Sequence, residues 1–173
     1  MFKPETGEYG DYYETYVSLV TEDDIRGAYA AQPVKLRALV EGIDELAGSF
    51  RYAKDKWSIK EVISHLIDGE RIFSYRMLRI SRGDKTPIEG FEQDGYIENS
   101  RANERKFSDL LDEFELVRKA NTLMLNNFDS AALARIGTAS GSPVSVRALA
   151  SISIGHVRHH LSILKERYLP KLN

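Results

Sequence analysis

Histidine side chains are concentrated near the end of this sequence, where His156, His159 and His160 fall within five positions. The fourth histidine, His65, lies far upstream in another segment with helical periodicity. On an α-helix, His156 and His160 would be one turn apart and point in the same direction. Two imidazoles on one turn can bind a first-row metal ion, and a third imidazole from a facing helix would complete a site of three nitrogen ligands.

The spacing alone leaves two interpretations of these histidines open. A histidine at a helix border is usually a hydrogen-bonded core or surface residue, whereas two on the inward face of an apolar helix favour ligation, because burying imidazoles without partners is costly. Three protein ligands would leave a coordination position for water or substrate, as in catalytic metal sites. Asp68, three residues after His65, could ligate the metal, orient an imidazole or be a solvated carboxylate. His159 projects about 100° away from His160, so it would support the ligands from outside or lie at the surface.

The helix expected to carry His65 has the clearest start signal in the chain. Ser58 and Glu61 form the S-x-x-E pattern of a capping box. Apolar residues then recur at helical spacing as far as Gly83, which can end the helix. This pattern predicts one long helix with His65 on the border of its apolar face.

The helix expected to carry His156 and His160 is the last in the chain. It follows an evident loop at 137–143, with Ser142 or Ser145 as its cap. After the first, its inward positions alternate by three and four residues, which is typical of a packed bundle helix. These positions are Val146, Leu149, Ser153, His156, His160, Ile163 and Arg167.

The remaining segments predict two further helices and a long connection. A first helix begins at Thr21 and breaks near Gln32, because Pro33 falls inside the pattern. Another opens at Phe107, after a connection from 83 to about 103 that would cross over a bundle. No segment predicts a strand, so the expected fold is all-α, a four-helix bundle with a long crossover connection.

Two other groups of side chains could either bind a ligand or have a purely structural role. The irregular N-terminal arm, residues 1–20, carries four tyrosines for which packing is favoured over binding: Tyr9, Tyr12, Tyr13 and Tyr16. The helix with His65 carries charged residues for which a solvated or salt-bridged face is favoured over an anion clamp. These are Glu70, Arg71, Arg76, Arg79 and Arg82.

Composition predicts a soluble domain with no nucleic-acid or membrane partner. At 173 residues, 42% apolar and 29% charged, residues 1–173 are expected to form a single domain. A net charge of −2 gives no reason to expect attraction to nucleic acid or membranes. Cysteine is absent, which excludes disulfides and thiolate ligands, and the N-terminus lacks the apolar run of a signal peptide. A cytoplasmic location is therefore expected.

Several motifs together resemble the DinB/YfiT superfamily over nearly the whole chain. They are W-S-I-K-E-V-I-S-H-L at 57–66, R-G-D at 82–84, P-V-S-V-R at 143–147 and G-H-V-R-H-H at 155–160. The resemblance implies a four-helix bundle, often dimeric. It also implies a divalent metal, commonly nickel or zinc, bound by three histidines that correspond to His65, His156 and His160.

The resemblance does not imply a single reaction. Members of the family resemble transferases and an isomerase that use low-molecular-weight thiols, and others are described as metal-dependent hydrolases. The expectation is a metal-dependent hydrolase or thiol S-transferase acting on a small molecule, with a thiol as its cosubstrate in the second case. The alternative is a non-catalytic metal-stabilised module or a small-ligand-binding stress-response protein. Related sequences often carry Glu where this chain has Val157, so a carboxylate role there does not carry over.

Overall fold

A computed structural model describes residues 3–172 of the chain. Short 3-10 turns at Asp11–Tyr13, Ala102–Glu104 and Leu169–Lys171 and a π-helical turn at Leu164–Tyr168 accompany the regular elements. These elements are α1 Glu14–Val17, α2 Ile25–Ala30, α3 Gln32–Leu39, α4 Glu45–Gly48, α5 Ile59–Ser81, α6 Gln93–Asn99, α7 Phe107–Asn126, α8 Ser130–Ala134, β1 Ile136–Ala139, β2 Ser142–Ser145 and α9 Val146–Ile163.

The bundle is built on α5, which packs against both α7 and α9. The pair α2 and α3 contacts α7 and α9 as well, and so closes the bundle as its fourth member. The predicted break near Gln32 is confirmed: Pro33 lies in the first turn of α3, where a missing N–H is tolerated. The predicted start at Thr21 is wrong, since Asp24 caps α2 by accepting a hydrogen bond from the Gly27 N–H.

Helix α5 begins and ends as its sequence predicts. The Ser58 side chain accepts from the Glu61 N–H, and the Glu61 carboxylate accepts from the Ser58 N–H at 2.7 Å. Gly83 follows the helix with a φ of +83°, a conformation that glycine adopts without strain. Among the helices of residues 3–172, none is both long and apolar enough to cross a membrane.

A short β-hairpin replaces the loop predicted at 137–143. Strands β1 and β2 pair antiparallel, and the turn residues Ser140 and Gly141 both have positive φ, +51° and +77°. Ile88 of the crossover connection is bonded to the hairpin, donating its N–H to the Thr138 carbonyl and accepting from the Ser140 N–H, both at 2.9 Å. The expectation that no segment forms a strand is wrong here, because four-residue strands rich in Gly, Ser and Pro lack the usual alternating pattern.

The apolar core consists of two clusters that meet along α9. Inward residues up to Ile154 belong to one cluster, and residues from Val157 onward belong to the other. His156 occupies the boundary between them. The bundle therefore places a polar, metal-binding side-chain type in the middle of its core rather than at its surface.

Candidate metal centre

Three imidazoles meet between α5 and α9. One ring nitrogen from each of His65, His156 and His160 lies within 4.8 Å of the other two. Nε2 of His65 and Nε2 of His156 are 2.8 Å apart, and each pair of rings has its centroids 4.8 Å apart. All three side chains are buried. The structure thus brings together the three histidines that the sequence singles out.

The surrounding side chains hold these rings in place. A Cβ at Gly69, one turn after His65, would lie 3.0 Å from Cε1 of His156, so the glycine makes room for that ring. Trp57 contacts the ring of His65 at 4.8 Å between centroids, and Phe73 meets His156 edge-on at 5.5 Å. Packed aromatic walls of this kind fix the orientation of the imidazoles.

Burial keeps the three imidazoles neutral at physiological pH. It lowers the pKa of His65 to about 4, with a smaller contribution from the nearby His159. The pKa values of His156 and His160 are also well below the usual range, mainly through burial and further through repulsion from neighbouring imidazoles. A neutral imidazole has a free lone pair, which is the form that binds a metal ion.

Cavities reach the histidines from two sides. His65 and His156 line a cavity of about 510 Å³, together with Tyr13, Tyr16 and Ser140. His160 lines another cavity of about 300 Å³, beside Trp57 and Asp94. Within residues 3–172, no Asp, Glu or further His joins the three-histidine group. The arrangement therefore leaves access for a small molecule next to the rings.

The two predicted supporting residues lie in different surroundings. Asp68 is half-buried, burial raises its pKa, and in the described part of the chain no hydrogen bond joins it to a histidine. His159 is half-buried beside the centre, its ring edge-on to Tyr16 at 5.6 Å and to His160 at 5.1 Å. Burial, and then Arg167, lower the pKa of His159. Supporting roles for both residues remain predictions.

The predicted solvated or salt-bridged face of α5 holds for Glu70, which is salt-bridged but buried, and is wrong for Arg76, which is buried without an ion pair among residues 3–172. Glu70 is buried, accepts a hydrogen bond from the Tyr29 hydroxyl at 2.8 Å and forms an ion pair with buried Arg118 at 2.9 Å. Arg76 is buried as well, with an exposed fraction of 1%. The charged residues of α5 therefore include two that face the interior of the bundle.

The other members behave as the sequence predicts. Arg71 and Arg79 form ion pairs with Glu113 and Asp84, each at 2.6 Å, and Arg82 is exposed. Buried and exposed charges alternate along α5 because successive positions on a helix point in different directions, some toward neighbouring helices and others toward solvent. Charge alone therefore does not assign a position to the surface.

The N-terminal arm covers the centre, a contact that sequence reasoning did not foresee. The ring of Tyr16 meets that of His156 edge-on at 5.4 Å. A Cβ built at Gly155 would lie only 1.9 Å from the Tyr16 carbonyl oxygen, so the arm lies directly on the backbone of α9. The available signal was the glycine immediately before His156, because glycine has no Cβ and so allows close approach to its backbone.

We expect Gly155→Ala to displace the arm and to lower the free energy of unfolding by about 2 kcal/mol, since the added methyl group overpacks the contact. Urea unfolding measures the stability, and the rate of chymotryptic cleavage after the arm tyrosines measures the displacement. Gly95→Ala is the matched control, because a Cβ there meets only the Glu92 side chain at 3.4 Å. An unchanged cleavage rate in Gly155→Ala would contradict the close contact between the arm and the backbone of α9.

Comparisons with known proteins agree with this fold. A family model of the DinB superfamily matches residues 28–164. The structure is similar to that of YfiT from Bacillus subtilis, with a TM-score of 0.76 and 16% sequence identity over 85% of this chain and 87% of that chain. YfiT is described as a probable metal-dependent hydrolase with an unusual four-helix bundle topology. No curated protein matches the chain in sequence. The chain belongs to the DinB superfamily and has its four-helix bundle fold.

Proposed function

We propose that this protein is a metal-dependent enzyme that binds a divalent ion through His65, His156 and His160 and acts on a small molecule in the adjacent cavity. The observation that carries the proposal is the grouping of three buried, neutral imidazoles whose ligand nitrogens lie within 4.8 Å of one another. The description of the similar YfiT as a probable metal-dependent hydrolase supports the same class.

The donor set fits such an ion. Nitrogen ligands around zinc lie about 2.0–2.1 Å from the metal, so neighbouring donor atoms are close together, as Nε2 of His65 and Nε2 of His156 are at 2.8 Å. Imidazole suits both zinc and nickel, and carries no charge that the ion would have to offset. A bound ion would lower the pKa of a coordinated water or thiol and so supply a nucleophile near neutral pH.

The chain's own residues would select and orient the substrate. Burial raises the pKa of the Tyr16 hydroxyl, and the hydrogen bond with Tyr12 raises it further, so Tyr16 remains a protonated donor beside the cavity. Trp57 and Phe73 pack against the histidines and restrict access to them. An accessible cavity beside a three-ligand site favours an enzyme over a metal-stabilised module, whose ion would have a closed shell.

Two reaction types remain within this proposal, hydrolysis and transfer of a low-molecular-weight thiol. A thiol S-transferase must bind two organic substrates, and the cavities beside His156 and His160 favour this alternative. Hydrolysis requires one organic substrate and water. The presence or absence of a required thiol therefore distinguishes them.

We expect protein reconstituted with zinc or nickel to turn over either electrophiles in the presence of a low-molecular-weight thiol or members of an ester and amide hydrolysis panel. His156→Ala is expected to lower that turnover at least about 100-fold, because a ligand is lost. Product formation, followed by mass spectrometry, measures the turnover of the reconstituted wild type and of the variant. Turnover that is the same in His156→Ala and in the wild type would overturn the metal-centred function.

A further inference from the structure

Arg76 is a buried cation without a carboxylate partner among residues 3–172. Its exposed fraction is 1%, and among the ion pairs of residues 3–172 it takes part in none. The arginines on either side along the helix differ, since Arg71 pairs with Glu113 and Arg79 pairs with Asp84. A buried charge is costly unless it is paired, so the absence of a counter-charge requires an explanation.

Within the described residues, the guanidinium of Arg76 is hydrogen-bonded only to neutral oxygens. Nη2 donates to the Glu89 carbonyl and to Oγ of Ser140, both at 2.9 Å, and Nη1 donates to the Tyr13 hydroxyl at 3.4 Å. Its Nε is buried with no hydrogen-bond partner in the described part of the chain. These contacts fix the side chain, but they leave its positive charge uncompensated.

Arg76 itself lines a different cavity, but two of its acceptors, the hydroxyl-bearing residues Ser140 and Tyr13, line the cavity beside the histidines. Because the Ser140 and Tyr13 hydroxyls accept hydrogen bonds from Arg76, the proton of each is free to be donated elsewhere. Neither hydroxyl donates to another side chain or carbonyl within residues 3–172. Both residues line the cavity of about 510 Å³ that also contains His65 and His156.

The backbone of Ser140 supports a functional reason for its position. Its φ of +51° lies in the left-handed region, where glycine and asparagine are favoured and serine is strained. Strained residues are enriched at functional sites. The side chain is exposed, and its contact with Arg76 joins the hairpin turn to α5.

The carboxylates on the cavity wall do not neutralise Arg76. Asp11 and Glu92 line the same cavity, but both are exposed, so water and salt screen their charges. The Glu92 carboxylate is also occupied, because it caps α6 by accepting from the N–H groups of Asp94 and Gly95.

We propose that Arg76, Ser140 and Tyr13 form an anion subsite that binds the acid group of a small organic substrate beside the histidines. The two hydroxyls donate to the acid oxygens, and Arg76 behind them supplies the fixed counter-charge. The inference deepens the proposed function and rests on it for the identity of the cavity as the substrate site. Binding of the acid group itself requires no metal, so the anion subsite and the proposed metal-dependent function can be tested separately.

The test uses the zinc-loaded protein of residues 1–173 and the probes benzoate, phenylphosphonate and neutral benzamide, with binding followed by chemical shifts of the backbone amides. We expect benzoate or phenylphosphonate to shift the Ser140 and Tyr13 amides and to bind at least 10-fold more tightly than benzamide. The comparison of the two acids identifies which acid group is preferred. Equal affinity for benzoate, phenylphosphonate and benzamide would overturn the proposal.

Variants separate recognition from folding. Ser140→Gly relieves the positive-φ strain, so it is expected to fold at least as stably as the wild type while losing at least 5-fold in affinity for the preferred acid. Arg76→Met is expected to lose more, and Arg82→Met, which removes an exposed arginine, is the matched control with unchanged affinity. Ser140→Gly with wild-type affinity for the acid would show that the subsite does not bind it.

A last variant distinguishes this proposal from the metal site. His156→Ala removes a proposed metal ligand and leaves the three subsite residues in place. We expect it to retain affinity for the acid probe within 3-fold. Loss of acid binding in His156→Ala, with Ser140→Gly unaffected, would place the acid group on the metal and overturn the subsite while supporting the proposed metal function.

Discussion

Replacing His156 by alanine is expected to abolish stoichiometric binding of a divalent ion while leaving the helical content unchanged. Three imidazoles supply the proposed ligands, and loss of one leaves two nitrogens with water in the third position. Substituting even a residue that only orients a ligand typically lowers metal affinity 10–100-fold, so loss of a ligand should cost at least about 100-fold. Elemental analysis after dialysis and titration calorimetry with zinc and nickel measure the loss.

His159→Ala is the matched control for this experiment. It removes an imidazole from the same turn of α9, half-buried and 5.1 Å from the ring of His160, but outside the three-histidine group. We expect it to retain stoichiometric metal, because a residue outside the ligand set lowers metal affinity less than the loss of a ligand does. The alanine variants of His65 and His160 should behave like His156→Ala, and wild-type metal content in any of the three would remove that residue from the proposed site.

The grouping of the histidines could be predicted from the sequence because it depends on local periodicity. His156 and His160 share a helix face by their spacing, and the Ser58 capping box sets where α5 begins and therefore where His65 lies along it. Helices of matching length that pack side by side then bring the rings to the same level. The all-α fold, its four main members and its DinB resemblance follow from the same signals.

The surroundings of the site depended on contacts between distant segments, which periodicity does not encode. The sequence did not predict that Tyr16 packs on His156, or that the Ser140 turn meets Arg76. Arg76 and Glu70 were expected on a solvated or salt-bridged helix face because charged residues are seldom fully buried unless paired. Their burial follows from partners on other elements that only the folded chain brings near. The homodimer, the native metal and the cytoplasmic location stay predictions from the sequence.

The metal-free protein is expected to lose stability between pH 7 and pH 5. The folded-state pKa of His65 is about 4, below the usual 6.5, so between these values the unfolded chain binds a proton that the folded chain does not. Stability from this group is therefore fully present above pH 6.5 and falls as the pH drops toward 4. His65 alone should lower the free energy of unfolding by about 2 kcal/mol at pH 5. His156 and His160, whose pKa values are also lowered, act in the same direction.

His65→Gln isolates this effect, because glutamine keeps a polar side chain of similar size but does not titrate. Urea unfolding of metal-free wild type and variant at pH 7 and pH 5 should show a loss that is smaller in the variant by about 2 kcal/mol. An equal loss in both proteins would show that His65 is not held neutral by burial.

Because protons and a metal ion compete for the same lone pairs, and bound metal stabilises only the folded chain, loading with zinc should shift the loss of wild-type stability to lower pH. The same shift should be absent in His65→Gln, since that variant lacks a ligand of the proposed ion.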